Sequence, residues 1–534
     1  MSNISRILVI AVTLVLIVRL AQLQLFQGRS FIQRSAQNRF RIENIPAVRG
    51  LIYDRNGDLL VDNQNGSRRY LKGPDFAHII GYMATADVDD VEFFGVEMGS
   101  WVGKMGLEKE ENQILSGING GVVREYSANG MPLREFSQKN PISGRNIQLT
   151  LDGRLQHKAR QLLLESGFSG TIVVSSLEGE ILSLVSYPDF DPNIFSQNQQ
   201  PEIVKVLQDL QKPLFNRAIG GLYPPASTFK LITSIAGLES KSITSQTEIE
   251  DTGILRVGEF SYSNWYYTGY GRTDGWVNLA KALQRSNDIY FYKVGEMTGI
   301  DNIDIWAKKM GLGTKTGISL EGESEGLVPN PVWKKETLGE DWYLGDTYIT
   351  AIGQGNLLVT PIQVNFVTTE IADGGKRCPL NLVRLVSDGI PNNIVDKDIS
   401  KRCYDLGISA KTLETIIQGM QLACDSGGTG WPLFQFKVIN DKLPIDGLNF
   451  IDDASGSAKA VKIPVACKTG TAETGSFDQH GELNDKTHAW FTAFAPVSKP
   501  EIVVTVLLES AGQGSDIAGP LAREILKTYF ENKE

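Results

Sequence analysis

Apolar positions along the chain change period several times. Near the N-terminus they form one run, Ile7 to Val18, unbroken by charge, and Leu20, Leu23, Leu25 and Phe26 extend it. About twenty such residues span a bilayer, so residues 7–26 are predicted to be a single transmembrane helix behind a short tail, 1–6. Arg19 opposes insertion by about 3 kcal/mol at a helix centre, while ten strong apolar residues at about 0.3–0.6 kcal/mol each offset it. An off-centre arginine also reaches the interface. Arg19 and Gln22 occupy the place where a cleavable leader carries small neutral residues, so the anchor is predicted to stay uncleaved.

Residues 27–145 alternate in short pieces separated by turn formers, such as Asp54-Arg-Asn-Gly57 and the glycine-flanked 117–121. They predict a strand-rich stalk without evident chemistry. A new domain begins at 146: Asn146 to Leu151 alternates as a strand, and Asp152 caps a helix with Leu155, Ala159, Leu162 and Leu163 on one face. Thr171 to Ser186 predicts two strands turning at Glu178-Gly179. Ile463 to Cys467, Ala489 to Ala495 and Ile502 to Leu508 predict three more, before a last helix burying Ile517, Leu521, Ile525 and Phe530. Strands at both ends of 146–534 with helices between them imply an α+β fold: one antiparallel sheet from the first and last segments, a helical lobe inserted, and a cleft between the two.

Composition narrows the function. The 534 residues carry a formal charge of -10, which supplies no basic field for nucleic acid. The four histidines and four cysteines show no zinc-ligand spacing, so no metal or cofactor is expected, and His488 reads as packing. One disulfide among Cys378, Cys403 and Cys424 is compatible with an oxidising compartment, its pairing open.

Three short segments point to chemistry. In Ser227-Thr-Phe-Lys230, Pro224-Pro225 precedes a helix start, and spacing i, i+3 puts the hydroxyl and the amine on one face. A serine needs a base, and a lysine neutralised in a desolvated, cation-rich cleft is one. Ser286-Asn287-Asp288 falls on a turn between apolar helical runs, where a hydroxyl can relay protons. In Lys468-Thr469-Gly470-Thr471, at the end of a strand, Lys468 and Gly470 share one face and Thr469 and Thr471 the other, which suits hydroxyls binding a carboxylate and a lysine lending charge. Side-chain-free Gly470 lets a helix pack close.

With these motifs in this order, and with Arg49-Gly-Leu-Ile-Tyr-Asp-Arg-Asn-Gly57, Gly106-Leu-Glu-Lys109, Gly345-Asp-Thr347, Gly353-Gln-Gly355 and Thr360-Pro-Ile-Gln363, the chain resembles class B penicillin-binding proteins over nearly its whole length. Tyr223-Pro-Pro-Ala-Ser227 and Asp288, where division enzymes tend to carry Asn, resemble the elongation type, penicillin-binding protein 2. The resemblance implies a peptidoglycan D,D-transpeptidase. Ser227 would be the nucleophile, Lys230 its base, Ser286, Asp288 and Lys468 further catalytic groups, and Thr469, Gly470 and Thr471 the substrate-binding strand. It implies stem peptides as substrates, β-lactams as covalent inhibitors and a SEDS-family glycan polymerase as partner. It also implies an extracytoplasmic catalytic domain at the bacterial inner membrane, against the positive-inside count from Arg29, Arg34, Arg39 and Arg41.

Other readings are a hydrolytic β-lactamase, for which no Glu-x-x-Leu-Asn lies between the second and third motifs, a penicillin sensor, which should carry several spans, a scaffold for the polymerase, and a division-type transpeptidase. Intact Ser227, Lys230 and Lys468 count against a scaffold. Two departures from the family stand out: a short 57–81 where relatives insert a head lobe, and a long loop at 431–460. Cys467, directly before Lys468, reads as a buried inert thiol.

Overall fold

A computed structural model describes residues 3–64, 66–127, 129–387, 394–396, 402–440, 442–443, 449–452, 459–474 and 486–533. It divides into two compact units, Met1–Gly50 with Gln113–Arg145 and Leu51–Asn112 with Asn146–Glu534.

In the first unit the helix Asn3–Ala21 continues through a wider turn, Gln22–Phe26; an 18-residue stretch within these 24 residues has mean hydropathy 2.4, and the whole is long and apolar enough to cross a membrane. Arg19 is held within this stretch by a bond from its guanidinium to Gln22. Beyond a second helix, Gly28–Arg39, strands Phe40–Ile45, Gly120–Tyr126 and Pro132–Lys139 form a three-stranded antiparallel sheet with Gly120–Tyr126 at its centre.

The second unit holds every residue of the Ser227, Ser286 and Lys468 motifs. Its main sheet contains β1 (Gly170–Ser175), β2 (Ile181–Tyr187), β3 (Ala466–Glu473), β4 (Thr487–Ala495) and β5 (Ile502–Leu508), ordered β2-β1-β5-β4-β3 and antiparallel throughout. Alternation along the central strands feeds two cores, one on each side of the sheet. Trp490, Phe494, Val503 and Leu507 enter a core shared with the helical lobe, whereas Phe491, Ala493, Val504 and Val506 pack beneath α1 (Gly153–Ser166) and α7 (Gly519–Glu531). The lobe comprises α2 (Lys230–Glu239), α3 (Leu279–Arg285), α4 (Asp288–Thr298), α5 (Pro361–Ala372) and α6 (Ala410–Ala423). The α+β architecture is therefore the one the hydrophobic pattern implies.

Polar side chains fasten lobe to sheet where apolar packing alone would permit sliding. Asn365 of α5 accepts from Ser175 on β1 at 2.7 Å and donates to Thr505 on β5 at 3.3 Å, while Thr368 meets Thr492 on β4 at 2.8 Å. Thr492 lies opposite Lys468 in register, so this buried network fixes the strand pair carrying the third motif.

The Asp-Arg-Asn-Gly turn forms as expected between strands Ile52–Tyr53 and Leu59–Gln64, with Gly57 at φ 90°. Asp54 closes it by accepting from the Asn56 and Asp58 N–H groups, both at 2.8 Å, and its other oxygen accepts from Gly153 N–H at 3.1 Å. That second bond ties the turn to the start of α1.

Two expectations are corrected. The described part of 431–460 is not one long loop: Lys437–Ile439, Asn449–Asp452 and Lys459–Lys462 form a small antiparallel sheet, and Leu433, Phe436, Val438 and Val461 bury themselves in the core on the α7 side. Residues 441, 444–448 and 453–458 of this stretch lie outside the described residues. Cys467 is not a free thiol, because the cysteines form two bonds, Cys378–Cys403 and Cys424–Cys467. Cys467 alternates with Lys468 and so faces the other side of the sheet, where Cys424 lies at the end of α6.

Candidate active site

Ser227 does not sit inside the α-helix that carries Lys230. It occupies a single tight turn, Ala226–Thr228, just ahead of α2. The cause is Ala226, held at φ 49°, a left-handed conformation unusual for a residue with a side chain. Gly353 pins it there: Ala226 N–H donates to the Gly353 carbonyl at 2.8 Å. Thr228 closes the turn from its hydroxyl to the Pro225 carbonyl at 2.7 Å.

From one turn farther on, Lys230 points into the lobe and is completely buried. Its Nζ donates to Asp288 Oδ1 at 2.7 Å and to the Ser286 carbonyl at 2.8 Å, with Ser286 Oγ at 3.4 Å. Lys468 reaches the same hydroxyl from the sheet: its Nζ lies 2.9 Å from Ser286 Oγ and 2.9 Å from the Thr469 carbonyl. Two amines thus converge on Ser286. Burial lowers the pKa of Lys230 against the opposing pull of Asp288, and lowers that of Lys468 well below the ordinary value, with the charge of Lys230 pushing the same way.

Ser286 can receive both because it ends α3 in a left-handed conformation, φ 52°, which turns the chain sharply before Asn287 caps α4. The expected turn between buried helices is present, and Asn287 serves as an N-cap besides, accepting from Tyr290 N–H at 2.9 Å.

Strand β3 passes directly over the serine turn. A Cβ on Gly470 would lie 3.2 Å from the Pro225 carbonyl oxygen and 3.3 Å from Thr228 Cγ2, so a side chain here would press on the residues flanking Ser227. The expected close approach is real. Gln354 adds a stitch from the adjoining segment, its amide donating to the Thr471 carbonyl at 3.2 Å. Thr471 is exposed, and Thr469 donates to Thr429 at 2.8 Å. Every predicted site residue thus belongs to one neighbourhood, with Ser227, Thr469, Gly470 and Thr471 around the strand end and Lys230, Ser286, Asp288 and Lys468 beneath.

Sequence reading missed the frame around them. Asp251 is buried and accepts from Asn264 Nδ2 at 2.8 Å, Asn287 Nδ2 at 2.9 Å and Asp274 N–H at 2.8 Å. Asn264 in turn accepts from Asp288 N–H at 3.2 Å. Arg285 bridges Asp274 at 2.9 Å and the Gly427 carbonyl at 2.7 Å, joining this frame to the loop that presents Thr429. The only sequence signal was Gly427-Gly-Thr-Gly430 after an amphipathic helix. Gly430 is needed because its Cβ would lie 2.3 Å from Cys467 Sγ.

His488 plays a packing part: its ring meets Tyr223 edge-on at 5.3 Å and accepts from Ser510 N–H at 3.1 Å. A cavity of about 560 Å³ lined by Arg55, Asp152, Arg154 and Tyr529 includes no residue of the Ser227, Ser286 and Lys468 motifs. Site chemistry, not cavity size, marks the functional place.

Comparison with known proteins agrees with this geometry. Residues 170–527 match the penicillin binding protein transpeptidase domain and residues 64–149 the penicillin-binding protein dimerisation domain. The chain is 30% identical to the peptidoglycan D,D-transpeptidase MrdA of Haemophilus influenzae, over 98% of this chain and 90% of that protein. Its fold is similar to that of Pseudomonas aeruginosa PBP2 in complex with WCK 5153 (TM-score 0.73, 29% identity, 92% of this chain and 97% of that one). It is also similar to a chain of a peptidoglycan synthase complex that coordinates polymerization and crosslinking (TM-score 0.75, 27% identity, 99% and 98%). Motifs, fold and relatives coincide, and the chain belongs to the penicillin-binding protein transpeptidases.

Proposed function

We propose that this chain cross-links peptidoglycan stem peptides during side-wall elongation through a covalent acyl-enzyme on Ser227. The observation that carries the mechanism is the pair of buried lysines meeting at Ser286, beneath a serine turn packed on Gly470. Ser227 Oγ attacks the carbonyl of the penultimate D-alanine while Lys230 accepts its proton. The N–H groups of Ser227 and Thr471 receive the oxyanion; one such donor is typically worth about 10²–10³ in rate. Ser286, between the amines, passes the proton to the departing terminal D-alanine. Thr469 and Thr471 bind that residue's carboxylate, and Lys468 supplies positive charge behind them. An amine from a neighbouring stem peptide then attacks the ester, forming the cross-link and freeing Ser227.

Residues 7–26 serve as the anchor, 27–145 as a pedestal and 146–534 as the catalytic domain, placed outside the cytoplasmic membrane. The partner is a glycan polymerase of the SEDS family, a reading supported by the likeness to a chain of a complex coordinating polymerization and crosslinking. β-Lactams acylate Ser227 without productive release. A labelled penicillin will therefore attach covalently, and Ser227→Ala will abolish both the label and cross-linking of nascent strands. Undiminished cross-linking by the variant would refute the reaction.

The lysine environment predicts a pH response. Lys230 acts as base only when neutral, so acylation rises with pH through its pKa, which burial holds below the ordinary value of 10.5. Asp288 opposes that shift, so Asp288→Asn lowers the pKa further and moves the rising limb to lower pH. The acylation rate measured against pH in both proteins checks this, and a limb that stays in place or moves upward would exclude Lys230 as base.

A further inference from the structure

Between α2 and α3 the six-residue helix Trp265–Tyr270 carries four aromatic side chains and buries none of its residues. The rings of Trp265, Tyr266 and Tyr270 pack on one another at centroid separations of 5.6 to 6.3 Å, and the Arg285 guanidinium lies 4.6 Å above Tyr266. Tyr270 is 65% exposed. Among the described residues, neither the Tyr266 nor the Tyr270 hydroxyl has a hydrogen-bond partner.

This cluster adjoins the reacting groups. Trp265 N–H donates to Asp288 Oδ2 at 2.9 Å, on the carboxylate whose other oxygen holds Lys230, and the Trp265 indole donates to the Arg285 carbonyl, the residue before Ser286, at 3.0 Å. Since Arg285 is already engaged by Asp274 and Gly427, the patch offers aromatic faces and phenol groups rather than a free charge.

Such a surface suits a ring with an apolar C–H face and hydroxyls at its rim. We infer that Tyr266 and Tyr270 form a subsite for a pyranose of the glycan strand that bears the stem peptide, an inference that rests on the acyl-enzyme reading above. The peptide itself has another place to bind, because β3 is an edge strand of the five-stranded sheet and can pair with an extended chain.

The test uses the full-length protein in detergent and measures the concentration of substrate that halves the rate of penicillin labelling. The probes are a pentapeptide ending in D-Ala-D-Ala and the same pentapeptide carried on a disaccharide. The parent should show at least a tenfold advantage for the disaccharide form. Tyr266→Ala and Tyr270→Ala should each cut that advantage below threefold, leave the labelling rate without substrate within twofold, and Tyr270→Phe should retain most of it. Absence of the advantage in the parent, its persistence in both alanine variants, or a labelling rate that falls as far as the advantage would overturn the subsite. A parent left unlabelled at Ser227 would instead overturn the acyl-enzyme reading, and the subsite with it.

Discussion

Lys230→Met is expected to lower the rate of penicillin acylation by about 10³ while Ser227 remains intact, since a positioned base typically contributes about 10²–10⁴. Stability should respond separately. Lys230 is fully buried and Asp288 nearly so, and removing one partner of such a pair costs about 3–5 kcal/mol because the other charge is stranded. Asp288 keeps its bond from Trp265 N–H, so a loss of about 3 kcal/mol in denaturant unfolding is expected. Adding Asp288→Asn removes the stranded charge, and the double variant should recover most of the stability and none of the acylation. Recovery of both would mean that Lys230 is only a structural cation.

Gly353→Ala should be nearly as damaging from a residue that contacts no substrate. Gly353 sits at φ 81°, and a Cβ there would lie 2.0 Å from the Ala226 carbonyl oxygen and 2.8 Å from Phe229 Cβ. Left-handed strain of about 1–2 kcal/mol adds to an overpacking cost of about 1–3 kcal/mol. The carbonyl that must move belongs to the residue before Ser227, and a displacement of about 1 Å in a reacting group can cost 10² in rate. Acylation should therefore fall at least about 10²-fold in a protein that still folds. Gly374→Ala is the control: its φ is 68° but nothing lies within 4 Å of the added carbon, so it bears the strain without the collision and should keep its acylation rate.

The motif side chains were legible because each is local. Ser227 and Lys230 lie one turn apart, Ser286 to Asp288 are consecutive, and Lys468 to Thr471 follow strand alternation. Sheet and lobe were equally readable from the change in apolar period between 171 and 508. The supports were not. Nothing in the sequence near Asp251 or Asn264 distinguishes them from surface loop residues, because their role arises only when Asp288 and Asn287 arrive from another segment. Alanine has no tendency toward left-handed backbone, so the tight turn before Lys230 could not be read from Ala226; its cause lies at Gly353, far along the chain. The pairing of Cys467 was hidden for the same reason, since only the packed sheet decides which thiol it faces.

That last pairing bears on when the enzyme becomes competent. The Cys424–Cys467 bond closes 43 residues of chain, a constraint worth about 4 kcal/mol in loop entropy, and its two ends lie just before the loop with Thr429 and just before Lys468. Thiols stay reduced in a bacterial cytoplasm and are oxidised beyond the membrane. With the catalytic domain outside the membrane, as proposed above, the wall of the groove is clamped only after export, and a newly made copy still inside the cell would hold its reacting groups on an unfastened frame, an assembly order that ties ripening of the enzyme to arrival at the wall it works on.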